Sequence, residues 1–570
     1  MSELEMIEKE IKIVICSKNR CKDCQHASGL ECMNLVELQD NTDLRIVLLV
    51  EQSKGLIHFS KLVRLPKRAP WYSNSWDTVY VHKGRILDDP NAIVDFYSTD
   101  PYLSVFFKEE NSGDLFYEAY PIVRSPIETA LVEQLGRDLS QILEKESSVR
   151  VKLTNRLERL ALAVSKKISK LLPEINDSTR SRISSIVANE STVIGPMIPL
   201  LLDDEVEEIY LDRPCSSLYF DHARHGRSRT SLILDMDIIS RLVTLFRAES
   251  NLHLDRKNPS LKTDLSLLGN LLRVSVGAPP LASDGFHLEI RRARKKPLSL
   301  LDLIKNGTLT LEAASILMLA LGCRFNITIT GEPGSGKTTL LNALDMSSPR
   351  TWRKVYIEDA IESRTQLTHH QLRIRVDPVD EANSRYNKDV EIVKSLHRSP
   401  DYLILGEIQT MEHSRSLFQA MAAGLRTIQT CHSYSAASLI SRWVYNHRIE
   451  ESSLAMMDLI VTLNRPIPGE SLRRVVEIAE VKKRIDDGFL RFGGLNILYS
   501  VVVSKPISWA EDGAFRFHAN QDGFENHIPA FEIIVKILRE NVLSITEENS
   551  FHLSEKLWEY GHPLKIVGSE

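Results

Sequence analysis

The sequence lacks any apolar run that approaches the ~20 residues a membrane-spanning helix needs. Its first residues, MSELEMIEKEIK, are acidic and lack the basic-then-apolar pattern of a secretory signal peptide. It also lacks an excess of either charge, because 71 Lys and Arg residues stand against 76 Asp and Glu residues, a net charge of −5. We therefore expect a cytosolic protein, and the overall charge gives no argument for nucleic acid as a partner.

Cysteine is scarce, and four of the seven cysteines fall in one short segment. They are Cys16, Cys21, Cys24 and Cys32, with the spacing C-x4-C-x2-C-x7-C. In a reducing compartment such a cluster favours metal over disulfides, and four thiolates can close the tetrahedral site that is usual for structural zinc. A second C-x2-C pair is missing, so four reduced thiols and an iron–sulfur cluster stay open as alternatives.

The length and the order of apolar, charged and turn-forming residues predict several domains. At 570 residues the chain is too long for one hydrophobic core. The predicted segments are a cysteine-rich, β-rich module (1–125), a helical linker (126–190), a mixed α/β domain (191–300), an alternating α/β domain (301–485) and a C-terminal extension (486–570).

From residue 301 onward, strands alternate with helices, which predicts a parallel sheet. In such sheets, ligands bind outside the carboxyl ends of the strands. The predicted strands are 325–330, 354–358, 402–406, 426–431 and 458–463.

The most specific motif is NITITGEPGSGKTTLLNAL, at residues 326–344. It predicts a strand, a glycine-rich loop and a helix. Gly331, Gly334 and Gly336 allow the backbone N–H groups of the loop to turn toward an anion, which bulkier residues would obstruct. The following helix points the positive end of its dipole at the same place.

Two side chains of this motif match the chemistry of a nucleoside triphosphate. Lys337 can reach the β- and γ-phosphates, and Thr338 can offer its hydroxyl to Mg²⁺. The motif therefore predicts binding of ATP with Mg²⁺ by a loop that comprises Gly331, Glu332, Pro333, Gly334, Ser335, Gly336, Lys337, Thr338 and Thr339.

Polar residues follow three of the predicted strands. Glu358 and Asp359 follow KVYI, Glu407 follows YLILG, and His432 follows TIQTC. We expect them to converge on the phosphate loop, where Glu407 can hold Mg²⁺ through water or polarise the attacking water. Glu358 and Asp359 are a second candidate for the base. Helix capping stays open as an alternative role for the carboxylates. For His432, a structural role stays open beside sensing of the γ-phosphate or of a subunit interface.

A basic run ends the mixed α/β domain. It is either a solvated hinge or a supply of cations to a nucleotide or to an anionic membrane face. Its members are Arg291, Arg292, Arg294, Lys295 and Lys296.

Four motifs occur in a fixed order: GEPGSGKTT, YIEDAIE, RSPDYLILGEIQTMEH and FQAMAAGLRTIQTCHS. They resemble the Walker A, aspartate, Walker B and histidine boxes of the secretion ATPases of type II and type IV systems, and are most similar to the archaeal pilus and archaellum branch. Upstream, GPMIPLLLDDEVEEIYLD and NLLRVSVGAPP are similar to that family's N-terminal domain. The resemblance covers about residues 190–482.

The resemblance implies an α/β fold: a RecA-like P-loop NTPase motor domain preceded by a mixed α/β, PAS-like domain. It implies a hexameric ring on the cytosolic face of the cell membrane, docked on a polytopic membrane protein, in which ATP hydrolysis moves pilin-like subunits. Arg273 and Arg291 match positions from which arginines of that family's N-terminal domain reach the nucleotide; Arg256 matches less well.

The chain departs from the family pattern at three positions. Gln409 stands where arginine is usual, Leu425 where histidine is usual, and Cys431 where an apolar residue is commoner. These departures put coupling between subunits and turnover rate in question more than nucleotide binding. Gln409 and Leu425 favour one alternative, a degenerate nucleotide-binding subunit that regulates or scaffolds an assembly. A DNA-translocating ring ATPase is another, although the sequence lacks a basic groove interleaved with aromatic residues.

Overall fold

The computed structural model forms two compact units, residues 1–295 and 296–570. The predicted zinc ligands Cys16, Cys21, Cys24 and Cys32 lie outside the described residues. The described ranges are 45–51, 58–63, 77–81, 93–108, 114–123, 126–145, 152–173, 175–250, 252–293, 297–363, 369–377, 386–502, 506–522 and 527–542.

The first unit contains a small sheet and a large one. The small sheet consists of β1 (Arg45–Glu51), β2 (His58–Val63) and β3 (Asp77–Val81), with β1 in the middle. The large sheet consists of β4 (Ile93–Thr99), β5 (Tyr102–Lys108), β6 (Leu115–Pro121), β7 (Val206–Leu211), β8 (Ser217–His222), β9 (Gly226–Ile233), β10 (Ser260–Leu267), β11 (Asn270–Gly277) and β12 (His287–Arg292). Its nine strands lie in the order β10-β11-β12-β7-β8-β9-β6-β5-β4.

The large sheet crosses the predicted border at residue 125. Strand β6 pairs in parallel with β9 through Phe116 opposite Arg229 and Tyr117 opposite Thr230. The Tyr117 ring also lies 5.2 Å from the ring of Phe220, and both side chains are buried. Strands β5 and β6 therefore share a core with the mixed α/β region.

The prediction of helices over 126–190 is confirmed, and most of their buried side chains form one cluster with Val123. Leu153 and Leu157 instead join the core of the large sheet. The side chains that the helix Leu153–Leu171 buries recur every three or four residues, as on an amphipathic helix: Leu153, Leu157, Leu160, Val164 and Ile168. The described helices of the first unit are α1 (Pro126–Lys145), α2 (Leu153–Leu171), α3 (Asp177–Glu190), α4 (Ile198–Leu202) and α5 (Met236–Ser250), with a 3₁₀ turn at Gly195–Met197. The region is thus a packed helical layer, and its role as a linker stays a prediction.

The second unit is built on one eight-stranded sheet. Its strands are β13 (Ile327–Gly331), β14 (Arg353–Glu358), β15 (His370–Arg375), β16 (Tyr402–Ile408), β17 (Thr427–His432), β18 (Leu459–Asn464), β19 (Arg474–Asp486) and β20 (Phe489–Ser500). They lie in the order β15-β14-β16-β17-β13-β18-β19-β20. The first six are parallel, and β19 and β20 are antiparallel. All five predicted strands of this region are confirmed to within two residues.

Helices cover both faces of this sheet, as a parallel sheet with apolar strands requires. One hydrophobic core gathers around Phe325 and Tyr402, and another around Phe418 and Trp443. Within the described ranges, the helices of this unit are α6 (Leu300–Lys305), α7 (Leu311–Gly322), α8 (Lys337–Met346), α9 (Lys388–Lys394), α10 (Met411–Ala422), α11 (Ala436–Ser441), α12 (Ala514–Asp522) and α13 (His527–Val542). Short turns of helix lie at Ser395–Arg398, Arg442–Asn446 and Glu451–Met456. No helix in the described ranges is long and apolar enough to cross a bilayer.

The described part of the predicted C-terminal extension belongs to this unit. The predicted border at 485/486 falls inside the β19–β20 hairpin. Phe515 of α12 is 1% exposed, and its ring lies 4.5 Å from that of Phe325, next to the phosphate-loop strand. Leu538 of α13 joins the same core. These apolar side chains bury the segment against the nucleotide-site sheet.

Candidate nucleotide site

The loop after β13 has the backbone shape of an anion cradle. Gly331, Gly334 and Gly336 have φ values of 151°, 71° and 94°, which favour glycine. A Cβ atom at Gly331 would lie 2.3 Å from the carbonyl oxygen of Leu463. The hydroxyl of Ser335 is buried and has no hydrogen-bond partner among the described residues. Since α8 begins immediately after Gly336, its N-terminal N–H groups face the same cradle.

Lys337 holds this loop through its ammonium group. The side chain is buried, and Nζ donates to the carbonyl oxygens of Gly331 at 3.1 Å and Glu332 at 2.8 Å. Nζ also lies 3.2 Å from Nδ1 of His432. An ammonium group donates without accepting, so Nδ1 must accept and the other ring nitrogen carries the proton. Oxygens of a phosphate can take the place of these acceptors.

His432 connects Lys337 to Glu407. Its Nε2 contacts Oε1 of Glu407. Burial alone would raise the pKa of Glu407, but hydrogen bonds from His432 and Gln409 and the charge of Lys337 lower it to about 2. Glu407 is therefore an ionised carboxylate beside the phosphate loop, in the state that a water-orienting base or a Mg²⁺ ligand needs.

A bulge sets the position of Glu407. The pairing of β16 with β17 shifts register between Leu405 and Glu407. The hydroxyl of Thr430 donates to the carbonyl oxygen of Gly406 at 2.5 Å, which occupies an acceptor at the irregularity. Bulges of this kind redirect side chains and are common next to active sites.

Glu358 and Asp359 have different surroundings. Oε1 of Glu358 accepts from the backbone N–H groups of Glu362 (3.1 Å) and Ser363 (2.9 Å), and Oε2 accepts from the Ser363 hydroxyl (2.6 Å). Burial raises the pKa of Glu358. Both oxygens thus hold the turn after β14. Asp359 instead has a buried lysine, Lys388, 3.3 Å from its Oδ1.

The predicted Mg²⁺ ligands fit the way in which this ion binds nucleotides. Thr338 lies in the first turn of α8, and Glu407 lies near the end of β16. Mg²⁺ keeps several waters and takes one or two protein oxygens together with phosphates. Among the described residues, no group of three or more His, Cys, Asp or Glu side chains forms a metal cage.

Comparison with known proteins identifies the family. The family model described as "Type II/IV secretion system protein" matches residues 190–462. An uncharacterized protein of Methanocaldococcus jannaschii is 32% identical over 193 residues, which are 33% of this chain and 70% of that protein. The chain belongs to the type II/IV secretion system protein family.

Other relatives cover the family region to different extents. A second uncharacterized protein of M. jannaschii is 31% identical over 232 residues, and the match spans only 31% of that relative's length. Type IV secretion system protein PtlH of Bordetella pertussis is 26% identical over 341 residues, 53% of this chain and 97% of PtlH. Among solved structures, the ATPase DotB of Legionella pneumophila is similar over 49% of this chain and 79% of DotB, with 16% identity and a TM-score of 0.38.

The three residues at which this secretion-family chain departs from the family pattern lie at different distances from the site. Gln409 is in it, because its side-chain amide donates to Oε2 of Glu407 at 3.0 Å. Leu425 precedes β17, at the strand end opposite to His432, and packs against the core. Cys431 is buried, and burial raises the pKa of its thiol to about 12. Gln409 is thus the departure that touches an acidic site residue.

Three basic residues of the site were not predicted from the sequence. Lys388 contacts Asp359 and the backbone of Glu407. Arg442 donates to the carbonyl oxygens of His432 and Gln409. The third, Arg473, lies on the turn before β19. Its guanidinium donates to the carbonyl oxygen of Gly334, at 2.8 Å. No spacing marks these residues, since none of them lies on an element that carries a predicted site residue.

The predicted arginines Arg273 and Arg291 lie in the first unit. The pairing of β11 with β12 places them directly opposite each other, so their side chains share one face of the sheet. Each guanidinium has a carboxylate near it: Asp264 is 3.7 Å from Arg273, and Glu208 is 3.4 Å from Arg291. The weaker candidate Arg256 is exposed.

The basic run that begins at the end of β12 is not uniformly solvated. The Arg292 side chain is buried and pairs with Asp204, and it donates to the side-chain oxygen of Asn270 at 2.9 Å. Alternation along β12 explains this, because neighbouring residues of a strand face opposite sides. The hinge prediction is therefore wrong for Arg292. Arg294, Lys295 and Lys296 lie outside the described residues.

Proposed function

We propose that the chain is an ATP hydrolase that works as a hexameric motor on a membrane platform and powers assembly or secretion of pilin-like subunits. One observation carries this proposal. Lys337, His432 and Glu407 form a continuous chain of contacts at the ends of three adjacent strands, β13, β17 and β16. A phosphate-binding cation and an ionised carboxylate are thereby joined through one imidazole.

The same contacts suggest how the residues act. When ATP binds, Nζ of Lys337 exchanges its contacts with the carbonyl oxygens of Gly331 and Glu332 for contacts with phosphate oxygens. It also gives up its contact with Nδ1 of His432. Glu407 accepts a hydrogen bond from the attacking water and orients it toward the γ-phosphate. Thr338 and Glu407 would hold Mg²⁺, which would neutralise phosphate charge.

The hexamer, the membrane platform and the pilin-like cargo come from the family resemblance. In that arrangement Arg273 and Arg291 serve a nucleotide across a domain or subunit boundary, and the chain works at the cytosolic face of the cell membrane. The arrangement on one sheet face supports this role, because two adjacent guanidinium groups suit a polyanion.

A regulatory or scaffolding subunit is the second candidate, and Gln409 favours it. A neutral amide, where the family usually has arginine, donates to Glu407. If this substitution abolishes turnover, the chain binds ATP and releases no phosphate.

Phosphate release by the purified full chain tests the proposal. With ATP and Mg²⁺, and with lipid added, we expect slow hydrolysis that stops when a chelator removes Mg²⁺. Bound ATP without phosphate release under all of these conditions would favour the regulatory candidate.

Co-purification from native membranes tests the motor's partners. Recovery of a polytopic membrane protein together with pilin-like subunits supports a secretion motor. Recovery of nucleic acid in their place points to a DNA-translocating ring.

We also propose that Cys16, Cys21, Cys24 and Cys32 hold one zinc ion per chain. Four thiolates satisfy a tetrahedral zinc site, and metal binding couples to folding in small modules. Elemental analysis of the purified chain should find about one equivalent of zinc. Less than about a tenth of an equivalent of zinc or iron, with four freely titrating thiols, contradicts this.

A further inference from the structure

Lys388 is a buried cation that joins both acidic motifs. It is the first residue of α9, and 3% of the residue is exposed. Its Nζ donates to the carbonyl oxygen of Glu407 at 2.9 Å and lies 3.3 Å from Oδ1 of Asp359. Burial of an ammonium group is costly unless charged and polar partners compensate for the lost water. The two acceptors that compensate here both belong to predicted site residues.

The contact with Glu407 falls where the strand ladder is irregular. The register of β16 against β17 shifts between Leu405 and Glu407. Thr430 supplies a side-chain donor to the carbonyl of Gly406, and Lys388 supplies one to the carbonyl of Glu407. Side chains therefore hold two successive carbonyl groups at the bulge that directs Glu407.

The charge of Lys388 also acts on a buried histidine of α10. His413 of α10 is 6% exposed, and its Nδ1 has no hydrogen-bond partner in the described part of the chain. Burial, followed by the charge of Lys388, lowers the pKa of His413 to about 4, against the opposing charges of Asp389 and Asp359. A neutral histidine adds no positive charge that would compete with Lys388 for these carboxylates.

We propose that Lys388 is a positioning residue for ATP hydrolysis. It fixes Glu407 through the backbone and Asp359 through the carboxylate, so that both acidic side chains keep a constant spacing beside the phosphate loop. This inference rests on the proposed function. A displacement of about 1 Å in such a site can cost about 10²-fold in rate, while ATP binding depends mainly on the phosphate loop.

The test replaces Lys388 by methionine, which keeps most of the length and removes the charge. We expect kcat to fall roughly 10- to 100-fold, with the Kd for ATP within about threefold of wild type. Lys388→Arg should restore part of the rate. The matched control is Lys394→Met, on the same helix, whose side chain is 57% exposed and pairs with Glu391. It should keep wild-type kcat and Kd.

A double variant separates positioning from general stability. If Lys388 acts through Asp359, Lys388→Met combined with Asp359→Asn should lose less rate than the product of the two single losses. Wild-type kcat in a folded Lys388→Met chain overturns the inference and leaves the proposed function intact. If Lys388→Met does not fold, Lys388→Arg and Asp359→Asn serve as the test. Wild-type kcat in both of these variants overturns the inference. A wild-type chain without turnover removes the proposed function and this inference together.

Discussion

At the scale of single residues, Glu407 is the point where the contacts of several strands meet. His432 and Gln409 each bond one of its carboxylate oxygens, and Lys388 bonds its carbonyl oxygen. The sequence indicated the carboxylate and the histidine, because each follows a buried strand. It did not indicate what holds them, since the orientation of Gln409 and Lys388 depends on elements brought together by folding.

Gln409→Ala should slow ATP turnover roughly 10-fold. The substitution removes a hydrogen bond to a charged group, worth about 1.5–3 kcal/mol, and frees Glu407 to change orientation. Steady-state phosphate release measures the effect. The control is Gln419→Ala, an exposed residue of α10. If both variants match wild type, Gln409 plays no part in the site, and its contact with Glu407 is incidental.

At the scale of elements, strands rich in β-branched and apolar residues could be predicted from the sequence. Strand β13 is buried at every position, and its β-branched residues make its sequence unambiguous. The border of the C-terminal extension could not be predicted in this way. The apolar side chains of α12 and α13 do not reveal which core they join, because residues far apart in sequence supply the partners. Likewise, nothing in YLILGEI distinguishes a bulged strand from a regular one.

Phe515→Ala should destabilise the second unit by about 3–5 kcal/mol, the usual cost of emptying an aromatic site in a core. Its ring packs against Phe325 and Trp509, at centroid distances of 4.5 and 4.9 Å. Urea unfolding followed by circular dichroism measures the change. Phe489→Ala is the control, because Phe489 is 70% exposed. Equal, small effects of the two substitutions would show that the tail does not stabilise this core.

At the scale of the whole molecule, two units have to cooperate if the chain is a motor. The phosphate loop and the acidic residues lie in the second unit, whereas the paired arginines lie in the first. The region that matches the family model, 190–462, spans parts of both units.

Arg273→Ala and Arg291→Ala test this cooperation. A fixed cation near the γ-phosphate stabilises the transition state, and in other nucleotide hydrolases it contributes about 10³- to 10⁵-fold in rate. At least one of the two variants should lose turnover far more than ATP affinity. Arg247→Ala, at an exposed position of α5, is the control.

Mixed assemblies then show whether the arginine acts across a subunit boundary. Inactive Arg291→Ala chains keep an intact phosphate loop, and inactive Lys337→Ala chains keep the arginines. If the arginine serves a neighbouring subunit, mixing the two should restore part of the turnover. Wild-type turnover in both arginine variants would show that neither residue has this role.

The most direct measurement compares ATP binding and Mg²⁺-dependent phosphate release for wild type, Lys337→Ala and Glu407→Gln, with rings assembled and the membrane partner present. Wild type should bind and hydrolyse ATP. Lys337→Ala should fail to bind, because the phosphate-binding ammonium is gone, and Glu407→Gln should bind without turnover, because the carboxylate that orients water is gone. ATP bound by wild type with no phosphate released, and a Glu407→Gln chain indistinguishable from it, would contradict the assignment as a motor.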